Sequence, residues 1–376
     1  MKTIKNLEDI GEIVGKKILL RVDFNVPIDE GKVVDDYRIV KSLPTINWLR
    51  EKGARVILIS HLDEKSGVTL APVGEYLQSH FPVKFVGDVA GEAAASAAAS
   101  LGNGDVILLE NLRQNPGEEA NDESFAKSLA SFADVYINDA FAVSHRAHAS
   151  IVGVPKFLPK YAGLLMDAEI KNLSSVFNPP HPFLFILGGA KFDTKLPLIE
   201  KFLSLAEHVF VGGALSNNIF KEMGYEVGKS LVSDGDFNIK NLLGDQRLII
   251  PKDVEVMAES GEKIIRKSNE VQATEAIYDS GPETLANLAN LVKESKCVLW
   301  NGPLGNYEKG FIQPTIELAN MLAASGDKTI VGGGDTLAAI ASSGAEEKIS
   351  FISTGGGAML QFLLDETLPG IEALKN

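Results

Sequence analysis

A chain of 376 residues has room for two domains of ordinary size, each able to bury its own core. With 45% hydrophobic and 23% charged residues it is not a disordered chain, and a net charge of −14 argues against nucleic acid or an anionic membrane as partner. The single cysteine, Cys297, excludes an intrachain disulfide, and no apolar run approaches the roughly 18 residues of a membrane span, so the expected location is cytoplasmic.

In chain order, short apolar runs at 18–22, 56–59, 83–86, 106–109 and 135–137 alternate with helix-like segments at 37–52, 91–100 and 122–132. Pro44 predicts a break or a new first turn inside the first of these helices. The string Lys156-Phe-Leu-Pro-Lys-Tyr-Ala-Gly163 closes this half, and 164–176 reads as one helix stopped by Asn178-Pro179-Pro180. Further runs at 183–187, 209–211, 248–250, 297–300, 329–331 and 349–352 alternate with helices at 195–205, 282–293, 313–324 and 336–342. Runs that are apolar on both faces predict buried parallel strands. Their number is too large for one sheet. The pattern predicts an α/β chain of two Rossmann-like, doubly wound parallel-sheet domains joined by a central helix and hinge. The expected boundaries are 1–163 for the first domain, 164–178 for the interdomain helix and 179–357 for the second domain.

In a doubly wound sheet, ligands sit beyond the carboxyl ends of the strands. In the first half those ends carry Asp23-Phe-Asn25, Ser60-His61, Glu110-Asn111-Leu-Arg113 and Asn138-Asp139, with His145-Arg146 just beyond and Arg21 and Arg38 close by in sequence. Arginine forks match carboxylate and phosphate oxygens. Arg21, Arg38, Arg113 and Arg146, gathered with His61 in an acidic protein, predict a pocket for a small, highly anionic molecule. The competing reading is a set of surface salt bridges to Asp23, Glu110 and Asp139.

In the second half the strand ends are glycine-rich: Gly188-Gly189-Ala-Lys191, Gly212-Gly213, Asn301-Gly302-Pro303-Leu-Gly305, Gly332-Gly333-Gly334-Asp335-Thr336 and Ser353-Thr354-Gly355-Gly356-Gly357. Glycine permits close backbone approach, and helix N-termini after such turns present N–H groups to phosphate, so this edge reads as a nucleotide site. Gly224-Tyr-Glu-Val-Gly228-Lys229-Ser230 imitates a P-loop but has three residues between its glycines where four are needed, and it does not follow a strand. Lys191 and Lys195, four apart, are expected on one helix face near the phosphates. Asp335 is the candidate Mg²⁺ ligand and equally a candidate helix cap, and Glu308 a candidate acceptor for ribose hydroxyls or simply a solvated carboxylate.

Taken together, the strings Arg21-Val-Asp-Phe-Asn-Val-Pro27, Glu110-Asn-Leu-Arg113, Pro116-Gly-Glu-Glu119, Asn138-Asp-Ala-Phe141, His145-Arg-Ala-His148, Leu187-Gly-Gly-Ala-Lys191, Trp300-Asn-Gly-Pro303, Gly332-Gly-Gly-Asp335 and Ser353-Thr-Gly-Gly-Gly357 resemble the phosphoglycerate kinase family over essentially the whole chain. The resemblance implies a first domain that binds 3-phosphoglycerate or 1,3-bisphosphoglycerate through Asp23, Asn25, Arg38, His61, Arg113 and Arg146, to which the strand-end reading adds Arg21. It implies a second domain that binds ADP or ATP with Mg²⁺ through Gly189, Lys191, Lys195, Asn301, Pro303, Glu308, Gly334, Asp335 and Thr336, to which the glycine-rich strand ends add Gly213 and Gly333. Arg38, Lys191 and Gly334 are the catalytic positions it implies, Asp335 the metal ligand, and residues 358–376 a tail returning to the first domain. The implied enzyme is a monomer that transfers phosphate directly when its hinge closes.

Two departures stand out. Where the family has Gly-Arg-Pro after Ser60-His61-Leu62, this chain has Asp63-Glu64-Lys65, so a substrate-facing arginine is missing. Where the family has aspartate directly before the second lysine, Thr194 stands, with Asp193 one residue earlier. Ala142-Val143 also replaces Gly-Thr before His145-Arg146. A catalytically impaired relative that still binds nucleotide or a partner, and a kinase for another small carboxylate, therefore stay open as alternatives.

Overall fold

The structure, a computed structural model, describes residues 3–63 and 68–375; Glu64 and Lys65, singled out above, lie outside the described residues. The chain forms two compact units, Met1–Lys171 with Asp365–Asn376, and Asn172–Leu364. Among the described residues no helix is long and apolar enough to cross a membrane.

The strands of the first unit are β1 (Lys17–Arg21), β2 (Ile28–Asp29), β3 (Lys32–Val33), β4 (Arg55–Ile59), β5 (Lys84–Val86), β6 (Val106–Leu109), β7 (Val135–Asn138) and β8 (Lys160–Ala162). Six of them make one sheet in the order β5-β6-β4-β1-β7-β8, with every pairing parallel. β2 and β3 form a small antiparallel hairpin. Ile18, Leu19 and Leu20 of β1 are fully buried, as strands apolar on both faces require. The strand β8 lies within the string read from sequence as a boundary. The helix Tyr37–Glu51 runs through Pro44 without ending there. Proline removes one helical donor, and here the buried face of Ile39, Ile46 and Leu49 outweighs that loss.

The second unit contains β9 (Phe183–Leu187), β10 (His208–Val211), β11 (Leu248–Ile249), β12 (Asp253–Met257), β13 (Lys263–Lys267), β14 (Ala276–Ser280), β15 (Cys297–Asn301), β16 (Lys328–Gly332) and β17 (Phe351–Ile352). Its main sheet is parallel in the order β11-β10-β9-β15-β16-β17. An antiparallel sheet, β13-β12-β14, was not anticipated. Its strand β13 alternates exposed and half-buried residues and carries Lys263, Arg266 and Lys267, so it lacks the apolar run that marked the others.

Both main sheets reverse their winding at a central strand. β1 lies between β4 and β7, and β9 between β10 and β15. A crevice opens at such a switch point beyond the carboxyl ends of the strands. The first crevice is entered by Asp23 and Asn25, the second by Gly188 and Gly189.

Candidate active site

The first unit brings Asp23, Asn25, Arg38, His61, Arg113 and Arg146 together at the switch point. Asp23 is 4% exposed and accepts a 2.9 Å hydrogen bond from Arg38 Nη1 through Oδ2. Its Oδ1 accepts from the Asn25 N–H at 3.1 Å. Arg38 Nη1 also donates to the Asn25 carbonyl at 3.3 Å. The other edge of this guanidinium, Nε and Nη2, makes no hydrogen bond among the described residues. Arg38 is thus aimed by Asp23 while keeping donors available.

Arg113 and Arg146 approach from the ends of β6 and β7. Arg113 forms a close ion pair with Asp63, and Arg146 Nη1 lies 3.5 Å from the same Asp63 Oδ1. Arg113 Nη2 is buried with no hydrogen-bond partner among the described residues. Burial, and then the neighbouring Arg146, push the Arg113 guanidinium below its ordinary pKa. Orphaned buried donors and crowded cations are what a pocket built for an anion shows when only part of its capacity is used.

Arg21 departs from the expectation of a ligand-facing arginine. It is completely buried, and all its contacts are internal: Nε donates to Ser150 Oγ at 3.0 Å, Nη1 to the Val22 carbonyl, and Nη2 to His61 Nδ1 at 3.1 Å. Because a guanidinium can only donate, His61 Nδ1 must accept, which puts the imidazole proton on Nε2. Burial, then the positive charges of Arg21, Arg113 and Arg146, hold His61 well below its ordinary pKa, so it stays neutral. The result is an oriented Nε2–H donor 3.9 Å from Asp63 Oδ1. The salt-bridge reading fails for two of its three carboxylates. Glu110 accepts from Leu70 N at 2.8 Å and Thr69 Oγ1 at 2.7 Å, and Asp139 caps the helix Leu164–Ser174 through Leu165 N at 2.9 Å.

The second unit assembles the glycine turns around a cavity of about 630 Å³. Gly189, Gly213, Pro303, Glu308 and Asp335 line it. Gly213 has φ +61° and packs so close that a Cβ there would lie 2.8 Å from Gly189 N. Only glycine fits that turn. Gly189 N donates to the Pro303 carbonyl at 3.0 Å, tying two turns together. Lys195, Asn301 and Thr336 lie behind the lining. Lys195 Nζ donates to the Gly188 carbonyl at 2.6 Å and lies 3.4 Å from Asn301 Oδ1. Thr336 Oγ1 accepts from Gly302 N at 3.0 Å. Gly333, φ +109°, makes the turn into the helix Gly334–Ser343, whose first residue is exposed.

Lys191 and Lys195 do not share a helix face. The helix starts at Phe192, so Lys191 is its exposed N-cap while Lys195 points inward under the turns. Burial lowers Lys195 to a pKa of about 8, with Asp335 pulling the other way. Asp193 is exposed in the first turn, and Thr194 Oγ1 donates to the Lys191 carbonyl at 3.0 Å. The lining also includes Ser230, Val232, Val254, Tyr278 and Asp279, which sequence reasoning missed. Several belong to the unanticipated antiparallel sheet. Lys229 and Ser230 also reach the cavity, although the surrounding string is no P-loop.

Among the described residues no three carboxylate, histidine or cysteine side chains form a metal cluster. Mg²⁺ beside a nucleotide does not need one, since one or two carboxylates suffice when phosphates and waters complete its shell. Asp335 fits that role: it is exposed, lines the cavity and makes no hydrogen bond or close ion pair among the described residues.

Comparison with known proteins gives one consistent answer. A model of the family described as phosphoglycerate kinase matches residues 7–366. A phosphoglycerate kinase of Pelotomaculum thermopropionicum is 42% identical over 388 aligned residues, covering 98% of each chain. One of Herpetosiphon aurantiacus is 44% identical over 382, covering 96% of this chain and 97% of that protein. The structure of phosphoglycerate kinase from Coxiella burnetii superposes with a TM-score of 0.86 at 35% identity, covering 99% of this chain and 98% of that one. That from Pyrococcus horikoshii OT3 has the same score at 29% identity, with the same coverage. With an arginine-lined crevice in one unit, a glycine-lined cavity in the other and full-length similarity on both counts, the chain belongs to the phosphoglycerate kinase family.

Proposed function

We propose that this protein catalyses reversible phosphoryl transfer between 1,3-bisphosphoglycerate and MgADP, giving 3-phosphoglycerate and MgATP. The observation that carries the reading is the pair of switch-point clusters: cationic donors oriented by buried carboxylates in the first unit, and stacked glycine turns around a cavity in the second. Direct transfer requires positioning and charge neutralisation more than a covalent nucleophile. In this reading Arg38, held by Asp23, contacts the reacting carboxyl end of the acceptor. Arg113, Arg146, Asn25 and the Nε2–H of His61 hold the distant phosphate. Arg21 acts through His61 as a positioning residue. Gly213 and the turn at Gly333-Gly334 offer backbone N–H groups to the nucleotide phosphates, while Gly189, its own N–H tied to Pro303, permits close approach of the backbone. Lys191, exposed at its helix start, is placed to reach the transferred group, and Glu308 to accept from the ribose. Bound through Asp335, Mg²⁺ would supply charge neutralisation on the nucleotide. Transfer between units further requires a hinge motion that excludes water, with residues 164–178 as the connecting segment. The reading extends to a monomer, and to the cytoplasm, where a lone, buried thiol such as Cys297 stays reduced.

The direct test is a coupled assay with MgATP and 3-phosphoglycerate. Turnover is expected, with 3-phosphoglycerate the best of a panel of small carboxylates. Folded protein that binds ADP yet shows no turnover would establish the impaired alternative, and a markedly better acceptor would redirect the assignment.

A second test concerns Lys195. Its pKa of about 8 means the ammonium is progressively lost above that pH, while phosphate prefers the protonated form. The Kd for ADP should therefore rise from pH 8 to pH 10, approaching roughly tenfold per unit. Lys195→Met should bind weakly at every pH with a flat profile. An unchanged slope in the variant would assign the pH dependence to another group.

A further inference from the structure

We infer that Asp63 is a built-in occupant of the anion cradle, whose carboxylate holds the donors of the first crevice in the free protein and must be displaced by the acidic substrate. The inference rests on the function proposed above and adds a determinant of acceptor affinity to it.

The geometry is that of a bound carboxylate. Oδ2 accepts from Asn25 Nδ2 at 2.7 Å, and the Asp63 N–H donates to Asn25 Oδ1 at 2.9 Å. Oδ1 takes the close ion pair with Arg113, lies 3.5 Å from Arg146 Nη1 and is 3.9 Å from His61 Nε2. One side chain thus engages donors that follow β1, β6 and β7, with the Nε2–H of His61, beyond β4, close by. These four strand ends were gathered by the fold from positions 38 to 83 residues away from Asp63, or, for His61, two residues away.

Three features separate an occupant from a permanent structural ion pair. Asp63 sits at the rim, 42% exposed, whereas Arg113 is 13% exposed. A carboxylate at the rim is partly hydrated and held only weakly, so an incoming ligand can replace it. The occupant also leaves capacity unused, because Arg113 Nη2 stays buried without a hydrogen-bond partner among the described residues. A phosphate, with more oxygens and more charge than one carboxylate, can use both. Finally, Arg38 pairs with Asp23 and makes no ion pair with Asp63, so the occupant covers the distal part of the crevice and not the proposed reacting end.

The test measures binding to the full-length protein without nucleotide, by calorimetry at fixed ionic strength, using 3-phosphoglycerate and inorganic phosphate as separate probes. Asp63→Asn removes the charge while retaining most of the shape, and Asp63→Ala removes the side chain. Both variants should bind each probe roughly tenfold more tightly than the wild type, with the Kd for ADP as an internal control in the other unit. Unchanged or weaker anion binding in variants that retain the wild-type Tm would overturn the inference and make Asp63 an organiser of Arg113 and Arg146. The two readings fail separately. Tighter phosphate binding by the variants, in a protein that never turns over 3-phosphoglycerate, would retain the occupant and discard the proposed substrate.

Discussion

Replacing Arg38 with alanine should lower kcat roughly 10³-fold while the Kd for ADP changes by less than about twofold. The argument starts from where the side chain is held. Arg38 is the second residue of the helix Tyr37–Glu51, and Nη1 is spent on Asp23 Oδ2 and the Asn25 carbonyl. Those two contacts fix the plane of the guanidinium and leave Nε and Nη2 without an acceptor among the described residues. A preorganised donor of this kind stabilises developing charge without reorganising during the reaction. Alanine removes it, whereas the nucleotide contacts proposed for the other unit are untouched, so the loss should fall on turnover. Arg38→Lys keeps a charge but not the fork, and an intermediate loss of roughly 10²-fold is expected. Steady-state kinetics with calorimetric ADP binding check both variants. Wild-type kcat in Arg38→Ala would remove this residue from the mechanism.

The second large effect is on stability. Glu118→Ala should destabilise the first unit by about 3–5 kcal/mol, because it strips a buried cation of its main compensation. Glu118 and Arg21 are both 0% exposed. They communicate through Ser150: Arg21 Nε donates to Ser150 Oγ, which donates to Glu118 Oε1 at 2.6 Å, while Ser150 N donates to Oε2 at 2.9 Å. Burial pushes the Arg21 pKa down, and Glu118 is the largest opposing influence. Glu118→Gln retains an acceptor and the shape while deleting the charge, so its loss relative to alanine separates electrostatics from packing. Denaturant unfolding monitored in the first unit is the measurement. A change under about 1 kcal/mol for alanine would mean that the cluster is hydrated or already balanced by Asp23. Since Arg21 also holds the His61 ring, weaker binding of 3-phosphoglycerate should accompany the lost stability.

Much of the architecture was legible without coordinates, for a definite reason. A strand buried on both faces must be apolar throughout, so Phe183–Leu187 and Val106–Leu109 announce themselves over four or five residues. The polar and glycine-rich strings beyond them then mark the crevices, because chemistry collects where a doubly wound sheet reverses. The sheet of β12, β13 and β14 gave no such sign. Its strand β13 interleaves Lys263, Arg266 and Lys267 with two isoleucines, which in sequence looks like loop. The lining residues Val254, Tyr278 and Asp279 went unseen with it.

Sequence alone determined which chemical groups this protein can bring to its two strand edges, since residue type and order along the chain carry that information. Tertiary structure decided what each group does. Arg21, Arg38 and Arg113 are the same residue type around one crevice, yet one is sealed against Ser150 and His61, one is braced by Asp23 with an edge to spare, and one is paired with Asp63. Lys191 and Lys195 divide likewise between the surface and the floor beneath the glycine turns. Burial and partner choice are set by segments far apart in the chain, and a local pattern of residues holds no record of those distances.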